Sequence, residues 1–123
     1  MTDRELLELA ARAANVDVKL IKRRNTAVCE GDDYYEDLPE DRWYFVLKDF
    51  SQKWNPLTDD GDALRLAVKL GIIIEYRREV PACFAYHYAL HLEVREPNAS
   101  LDPYAATRRA IIRSAAEIGR SMK

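Results

Sequence analysis

The feature that most constrains the fold is the run from Trp54 to Gly71, in which a polar turn leads directly into a helix. The turn contains Asn, Pro and Thr, which favour turns, and Thr58 or Asp59 can accept a hydrogen bond from a free amide at the helix start. The helix should span about Asp60 to Leu70 and end at Gly71, which tolerates a left-handed backbone. Apolar residues occupy most positions around it, which is typical of a buried helix.

Two further helices are marked by their caps. Thr2 and Glu5 have the spacing of a capping box, in which each side chain binds the backbone amide of the other residue. Asn15 is a suitable left-handed stop for that first helix. Near the other end of the chain, Asp102 can cap a helix over residues 103–120 that has a proline in its first turn.

Alternating apolar and polar residues predict strands in the remaining segments. Residues 16–20 and 26–29 should form a hairpin, and residues 42–50 and 72–76 should form two more strands. The most regular alternation runs from Phe84 to Arg95, which predicts one continuous strand of about twelve residues.

Length and composition favour one small domain. A chain of 123 residues with these elements predicts a single α+β domain over residues 1–123, with a mostly antiparallel sheet.

No apolar run approaches the roughly 20 residues that span a bilayer, and no secretory signal is evident, so we expect a cytoplasmic protein that does not enter a membrane. The net charge of −2 argues against a general nucleic-acid binder. Cys29 and Cys83 lack metal or redox spacing and should be reduced and buried.

No arrangement of catalytic or metal-binding residues stands out. His87 and His91 share one face of the predicted 84–95 strand, but four residues along a strand span about 13 Å, too far for one metal ion to bind both rings. The segment Asp59–Asp62 lacks the ligand spacing of a calcium loop. Nucleophile and phosphate-loop motifs are absent from the sequence. We therefore expect no metal, no cofactor and no enzymatic activity, with an unrecognised enzyme acting on phosphate-containing substrates as an alternative.

Arg108 is the most prominent candidate for a functional side chain. A helical wheel places it near the centre of the apolar face of the last helix, where an unpaired guanidinium would be very costly. One interpretation is a structural ion pair with Asp59, Asp60 or Asp62. The other is an arginine at the floor of a pocket that binds phosphate or carboxylate through two parallel hydrogen bonds.

The same wheel places three other arginines, Arg109, Arg113 and Arg120, on the opposite, solvent-facing side of the helix. They are either a solvated face or an anion-binding surface at a subunit interface. Ala106 and Ala110 fall on that side as well, and such small residues permit close contact between helices. We therefore expect a homo-oligomer.

Parts of the chain resemble a known group of proteins. The run WNPLTDDGDA at Trp54–Ala63 and the run AATRRAI at Ala105–Ile111 resemble small phage and prophage proteins of unassigned function, among them the NinX-like proteins. The resemblance covers roughly residues 50–75 and 100–121. It implies a phage-encoded protein that acts in the cytoplasm of a host bacterium, and it supplies no catalytic residues.

In that context the sequence suggests a non-enzymatic accessory protein that sequesters a small anionic ligand, such as a cyclic nucleotide of bacterial defence signalling. Arg108 and Arg109 would bind phosphate, and Trp54 would stack on a base. The polar turn would supply further hydrogen bonds through Asn55, Asp59, Asp60 and Asp62.

The alternative partner is a host defence protein. Residues 30–41 contain seven acidic residues and no basic one, which predicts a solvated loop. Clustered carboxylates can imitate a phosphate backbone and bind a basic surface, as on a host nuclease or a CRISPR complex. The residues that would do so are Asp32, Asp33, Glu36 and Asp37.

Overall fold

The computed structural model describes residues 1–22, 24–30, 33–37, 43–48, 52–97 and 101–122. The chain divides into two compact units, one formed by Met1–Val16 with Asn55–Lys123 and the other by Asp17–Trp54. The described helices all belong to the first, larger unit. Helices and antiparallel strands together confirm the α+β class that the sequence predicts. The single domain over 1–123 stays a prediction.

The helices are α1 (Asp3–Ala14), α2 (Asp60–Leu70) and α3 (Pro103–Ser121). Their predicted ends are confirmed. At the start of α1, the Glu5 amide donates to Thr2 Oγ1 at 3.2 Å and the Thr2 amide donates to Glu5 Oε2 at 3.0 Å. Asn15 and Gly71 adopt left-handed backbone at the ends of α1 and α2. None of the described helices combines the length and the hydropathy that crossing a lipid bilayer requires.

The strands are β1 (Val18–Lys22), β2 (Arg24–Glu30), β3 (Asp33–Asp37), β4 (Trp43–Leu47), β5 (Lys53–Trp54), β6 (Ile73–Arg77), β7 (Ala82–His87) and β8 (Leu92–Glu96). In the smaller unit β1 pairs with β4 and β4 with β5, while β2 pairs with β3. In the larger unit the antiparallel order is β6-β7-β8.

The hairpin predicted between residues 16–20 and 26–29 is wrong. β1 pairs instead with β4, which places Leu20 opposite Phe45 and gives the apolar side of β1 an apolar partner strand. The loop predicted over residues 30–41 is also wrong for the part that the structure describes, because residues 33–37 form β3. Two adjacent tyrosines give that segment high strand propensity in spite of its charge.

The single long strand predicted over residues 84–95 is wrong as well. β7 and β8 form a hairpin, and residues 88–91 make its turn, with a left-handed backbone at His91 (φ 50°). The strand prediction failed because Tyr88 and Leu90 continue the alternation of apolar and polar residues through the turn. In the turn these two side chains are 75% and 47% exposed.

α3 is the central element of the larger unit, since it packs against α1, α2 and the β6-β7-β8 sheet. Its contact with α1 is so close that a Cβ atom on Gly119 would overlap the carbonyl oxygen of Leu9. Ala106 and Ala110 are buried in this core, so their predicted position on a solvent-facing side is wrong.

The prediction that α2 is buried on nearly every side is wrong. One face is buried through Ala63, Leu66 and Ala67, whereas Leu64 and Val68 are 60% and 73% exposed. α2 therefore buries only one face, and its exposed face carries apolar residues as well.

Candidate functional site

The predicted site residues of the larger unit lie in two places. The first is the segment Asn55–Asp62, called here the capped turn, which leads into α2. The second is the flank of α3 that carries Arg109, Arg113 and Arg120. These three arginines line a surface cavity of about 410 Å³, called here the arginine pocket.

The polar groups of the capped turn bind one another. Asn55 Oδ1 accepts a hydrogen bond from the Leu57 amide at 3.0 Å, and Asp59 Oδ2 accepts from the Asp62 amide at 2.8 Å. Asp62 is only 5% exposed, and its two oxygens accept from the Asn55 amide at 3.0 Å and from Arg65 Nη2 at 2.6 Å. These side chains therefore act as a cap and a brace for the start of α2.

Arg108 forms the ion pair that the first interpretation predicts. Its Nη1 lies 2.6 Å from Asp60 Oδ1, and its Nε donates to the Leu57 carbonyl oxygen at 2.8 Å. The Arg108 side chain is 17% exposed, whereas that of Asp60 is 72% exposed. The guanidinium thus fastens α3 to the capped turn, and a ligand would have to displace Asp60 to reach the same donor.

Trp54 belongs to the smaller unit, where it lies in β5 opposite Phe45 and is 6% exposed. Little of its ring surface is left for a base, and its stacking role stays a prediction. Of the acidic residues proposed to bind a partner protein, Asp33, Glu36 and Asp37 lie in β3, and Asp32 lies outside the described residues.

The arginine pocket is built by α3, β8 and the first turns of α1. The Arg113 Nη1 atom donates to Glu96 Oε2 at 2.7 Å and to the Arg95 carbonyl oxygen at 3.0 Å. Arg109 Nε lies 3.8 Å from the other oxygen of Glu96. Since the Glu96 side chain is only 17% exposed, its carboxylate holds two neighbouring guanidinium groups in place from below.

The remaining contacts of this pocket are near the surface. Arg109 Nη1 pairs with Asp3 at 3.3 Å, and Arg120 Nη1 pairs with Glu117 at 3.2 Å. Leu6 and Val94 supply apolar lining. Three arginines against two glutamates, Glu96 and Glu117, give the lining an excess of positive side-chain charge.

Sequence reasoning identified the arginines of this pocket but missed Glu96, which orients two of them. The spacing of four residues between Arg109 and Arg113 places both on one side of a helix, and this was the available signal. Glu96 comes from β8, whose position depends on the hairpin that the sequence did not predict. Arg108, four residues after Tyr104, points instead toward the capped turn.

Among the described side chains, the two other reactive residue types, cysteine and histidine, form no site. Cys83 is a free, fully buried thiol, and burial raises its pKa, so it is protonated and unreactive near neutral pH. The distance argument against a shared metal at His87 and His91 fails, because residues 88–91 form a turn and not a strand. Among the described residues, however, no group of three or more histidine, cysteine or acidic side chains could hold a metal ion.

The resemblance to NinX-like phage proteins stays a prediction. When the chain was compared with models of protein families, with curated proteins and with solved structures, none of the three comparisons found a match.

Proposed function

We propose that the protein binds a small anionic ligand in the arginine pocket and releases it unchanged. The observation that carries this proposal is the pair Arg109 and Arg113, held side by side by one mostly buried carboxylate at the edge of a cavity of about 410 Å³. Cavities of a few hundred Å³ are of the size that small ligands occupy.

The donors of the pocket remain suited to an incoming anion. The hydrogen bonds of Arg113 to described residues use Nη1 alone, which leaves its Nε and Nη2 donors for two parallel bonds to a phosphate or carboxylate. Asp3 and Glu117 compete for Arg109 and Arg120, but these carboxylates are 56% and 45% exposed. Exposed ion pairs contribute about 0–1 kcal/mol, so a ligand displaces them at little cost.

The spacing along α3 favours a ligand with more than one anionic group. Arg109 and Arg113 are one helical turn apart, whereas Arg120 lies seven residues beyond Arg113, or about 10 Å along the axis. One anionic group would bind between the first two arginines and another near Arg120. Leu6 and Val94 also line the cavity, but each is only 6% exposed, so most of the contact with a ligand would come from the arginine side chains. A nucleotide with separated phosphates has this chemistry.

We expect the pocket to bind its ligand without catalysis. The pocket is lined by arginines, ion-paired glutamates and apolar side chains, and none of the described residues that line it carries a hydroxyl or thiol nucleophile. A protein of this kind acts by mass action, lowering the free concentration of its ligand. If the chain is a phage product, as its resemblance suggests, the ligand would be a nucleotide messenger of the host.

A melting-temperature screen against a library of nucleotides and inorganic oligophosphates tests this proposal. A ligand at a hundredfold excess over its dissociation constant should stabilise the native state by about 2.7 kcal/mol. Arg113→Gln and Arg120→Gln should each abolish most of that shift. Arg4→Gln is the matched control, because Arg4 also pairs with a carboxylate on an exposed helix surface but does not line the pocket.

Two results would contradict the proposal. One is a ligand whose stabilising effect survives both pocket substitutions but is lost in a folded Arg108→Gln variant. This result would place the binding site at the capped turn. The other is recovery of a chemically altered ligand after incubation and denaturation, measured by mass spectrometry, which would identify an enzyme.

A further inference from the structure

β6 is an edge strand whose side chains are mostly exposed. Among the described strands it pairs only with β7, which leaves one side of its backbone without a strand partner. Ile73 and Tyr76 are 42% and 39% exposed in spite of their apolar character. An exposed edge strand is suited to pairing with another strand, and native proteins often protect such edges with lysines, prolines or β-bulges, none of which occurs in β6.

The two faces of β6 differ in chemistry. Tyr76 is opposite Cys83 in the register and so shares a face with this buried thiol. Glu75 and Arg77 lie on the other face, where Arg77 Nε donates to Glu75 Oε1 at 2.6 Å. The Arg77 guanidinium also lies 4.7 Å from the centre of the Phe84 ring. The outer face of the edge therefore presents one acid and one base in a fixed arrangement.

We propose that β6 pairs antiparallel with β6 of a second copy of this chain, with Tyr76 opposite the partner's Tyr76. Two identical strands that pair antiparallel are related by a two-fold axis, which places one residue opposite its own copy. With the axis at Tyr76, Glu75 lies opposite the partner's Arg77, and Arg77 lies opposite the partner's Glu75. Each charge of the outer face then lies opposite one charge of the other sign, so the dimer contains two cross-strand ion pairs.

The other registers within this strand do not satisfy the charges. An axis at Glu75 or at Arg77 would place like charges directly opposite each other, which is destabilising. An axis at Ile74 would place Glu75 opposite the partner's Ile73, and an axis at Ile73 would pair neither charged residue within the strand. Both registers leave Arg77 outside the paired segment. The alternation of charge on β6 therefore selects both the partner, which is a second copy, and the register.

This interface replaces the one expected from the sequence. Ala106 and Ala110 are buried inside the protomer at 8% and 0% exposure, so they cannot meet the same residues of another copy. A strand pair of this length buries less than the roughly 1,200 Å² that is usual for stable complexes. We therefore expect a reversible dimer whose population rises with protein concentration.

Charge exchange on β6 tests the proposal by sedimentation velocity over a range of concentrations. Glu75→Arg and Arg77→Glu should each raise the dimer dissociation constant about tenfold or more, because each substitution replaces two attractive pairs by two repulsive ones. An equimolar mixture of the two variants should dimerise again, since every arginine then lies opposite a glutamate. An ion pair confined to one chain cannot produce this recovery.

The matched control is Glu93→Arg, which changes the same charge on β8, at the opposite edge of the sheet, and should leave dimerisation unchanged. Circular dichroism of each variant verifies folding. The proposal is overturned if the wild-type chain stays monomeric at every concentration, if either single variant dimerises as well as the wild type, or if the mixture stays monomeric.

Discussion

Arg108 has two hydrogen-bond partners that differ in their access to water. The Leu57 carbonyl belongs to a part-buried contact, whereas the Asp60 carboxylate is 72% exposed. Loss of the donor to a part-buried acceptor destabilises the protein more than loss of the partner of an exposed charge, because water replaces the partner of the exposed charge more readily. The carbonyl contact should therefore account for most of the stability that Arg108 provides.

Replacing Arg108 by Ala should lower the free energy of unfolding by about 1–3 kcal/mol, since it leaves the Leu57 carbonyl without a donor. Replacing Asp60 by Ala should lower the free energy of unfolding by less than about 1 kcal/mol. Urea unfolding of the single variants and of the double variant measures both effects and their coupling. Equal losses in the two single variants would show that the ion pair, and not the carbonyl contact, is the main contribution.

At the scale of elements, the close approach of α1 and α3 depends on one residue without a side chain. Replacing Gly119 by Ala places a methyl group against the Leu9 carbonyl, where only backbone can yield. We expect a loss of about 1–3 kcal/mol in the free energy of unfolding, the range of overpacked cores, measured by urea denaturation.

Gly61→Ala is the control for this substitution, because it adds the same methyl group to a helix. Its nearest neighbours are the ends of the Arg65 and Asp59 side chains, at 3.2 and 3.3 Å, and these can move. This variant should change stability by no more than about 1 kcal/mol. A Gly119→Ala variant as stable as the Gly61→Ala variant would contradict the close packing of α1 and α3.

The helices were predictable because their signals are local. Capping residues and left-handed stops act within one turn, so Thr2, Asn15, Asp59 and Gly71 mark helix ends without knowledge of the rest of the chain. Strand pairing is not local. The sequence shows that residues 16–20 are half-apolar, but not that β4 is their partner.

Like the fold, the candidate site was predictable where the signals lie within one helix. The α3 arginines could be placed on one helix and Arg108 could be paired with a nearby aspartate, because helical spacing and the cost of a buried charge suffice for both inferences. Glu96 could not be assigned. It reaches Arg113 only because the turn at Tyr88–His91 reverses the chain. The turn residues continue the alternation of apolar and polar residues, so this pattern does not reveal the turn.

For the whole molecule, the sequence predicts one domain, and the distribution of chromophores allows a direct test. Both tryptophans, Trp43 and Trp54, lie within Asp17–Trp54, whereas the described helices belong to the other unit. Tryptophan fluorescence and far-ultraviolet circular dichroism therefore report different parts of the chain. If the chain is a single domain, the two signals should change at the same urea concentration. Separate midpoints would show two independently folding parts.

The stability of the whole molecule should also depend on pH in the alkaline range. Burial raises the pKa of the Cys83 thiol above its ordinary value of 9.0, and burial raises the pKa of Tyr86 as well. At lower pH both states hold these protons and stability is unaffected. Above about pH 9 the unfolded thiol loses its proton while the folded thiol keeps it, so the unfolding free energy falls, by at most about 1.4 kcal/mol per pH unit for one group.

Urea unfolding at a series of pH values from neutral to alkaline measures this slope. Cys83→Ala should flatten it without abolishing it, because Tyr86 contributes with the same sign at higher pH. Cys83→Ala combined with Tyr86→Phe should flatten it further. A wild-type stability that rises with pH in this range, or a slope that Cys83→Ala leaves unchanged, would mean that the thiol is not shielded from water in the folded protein.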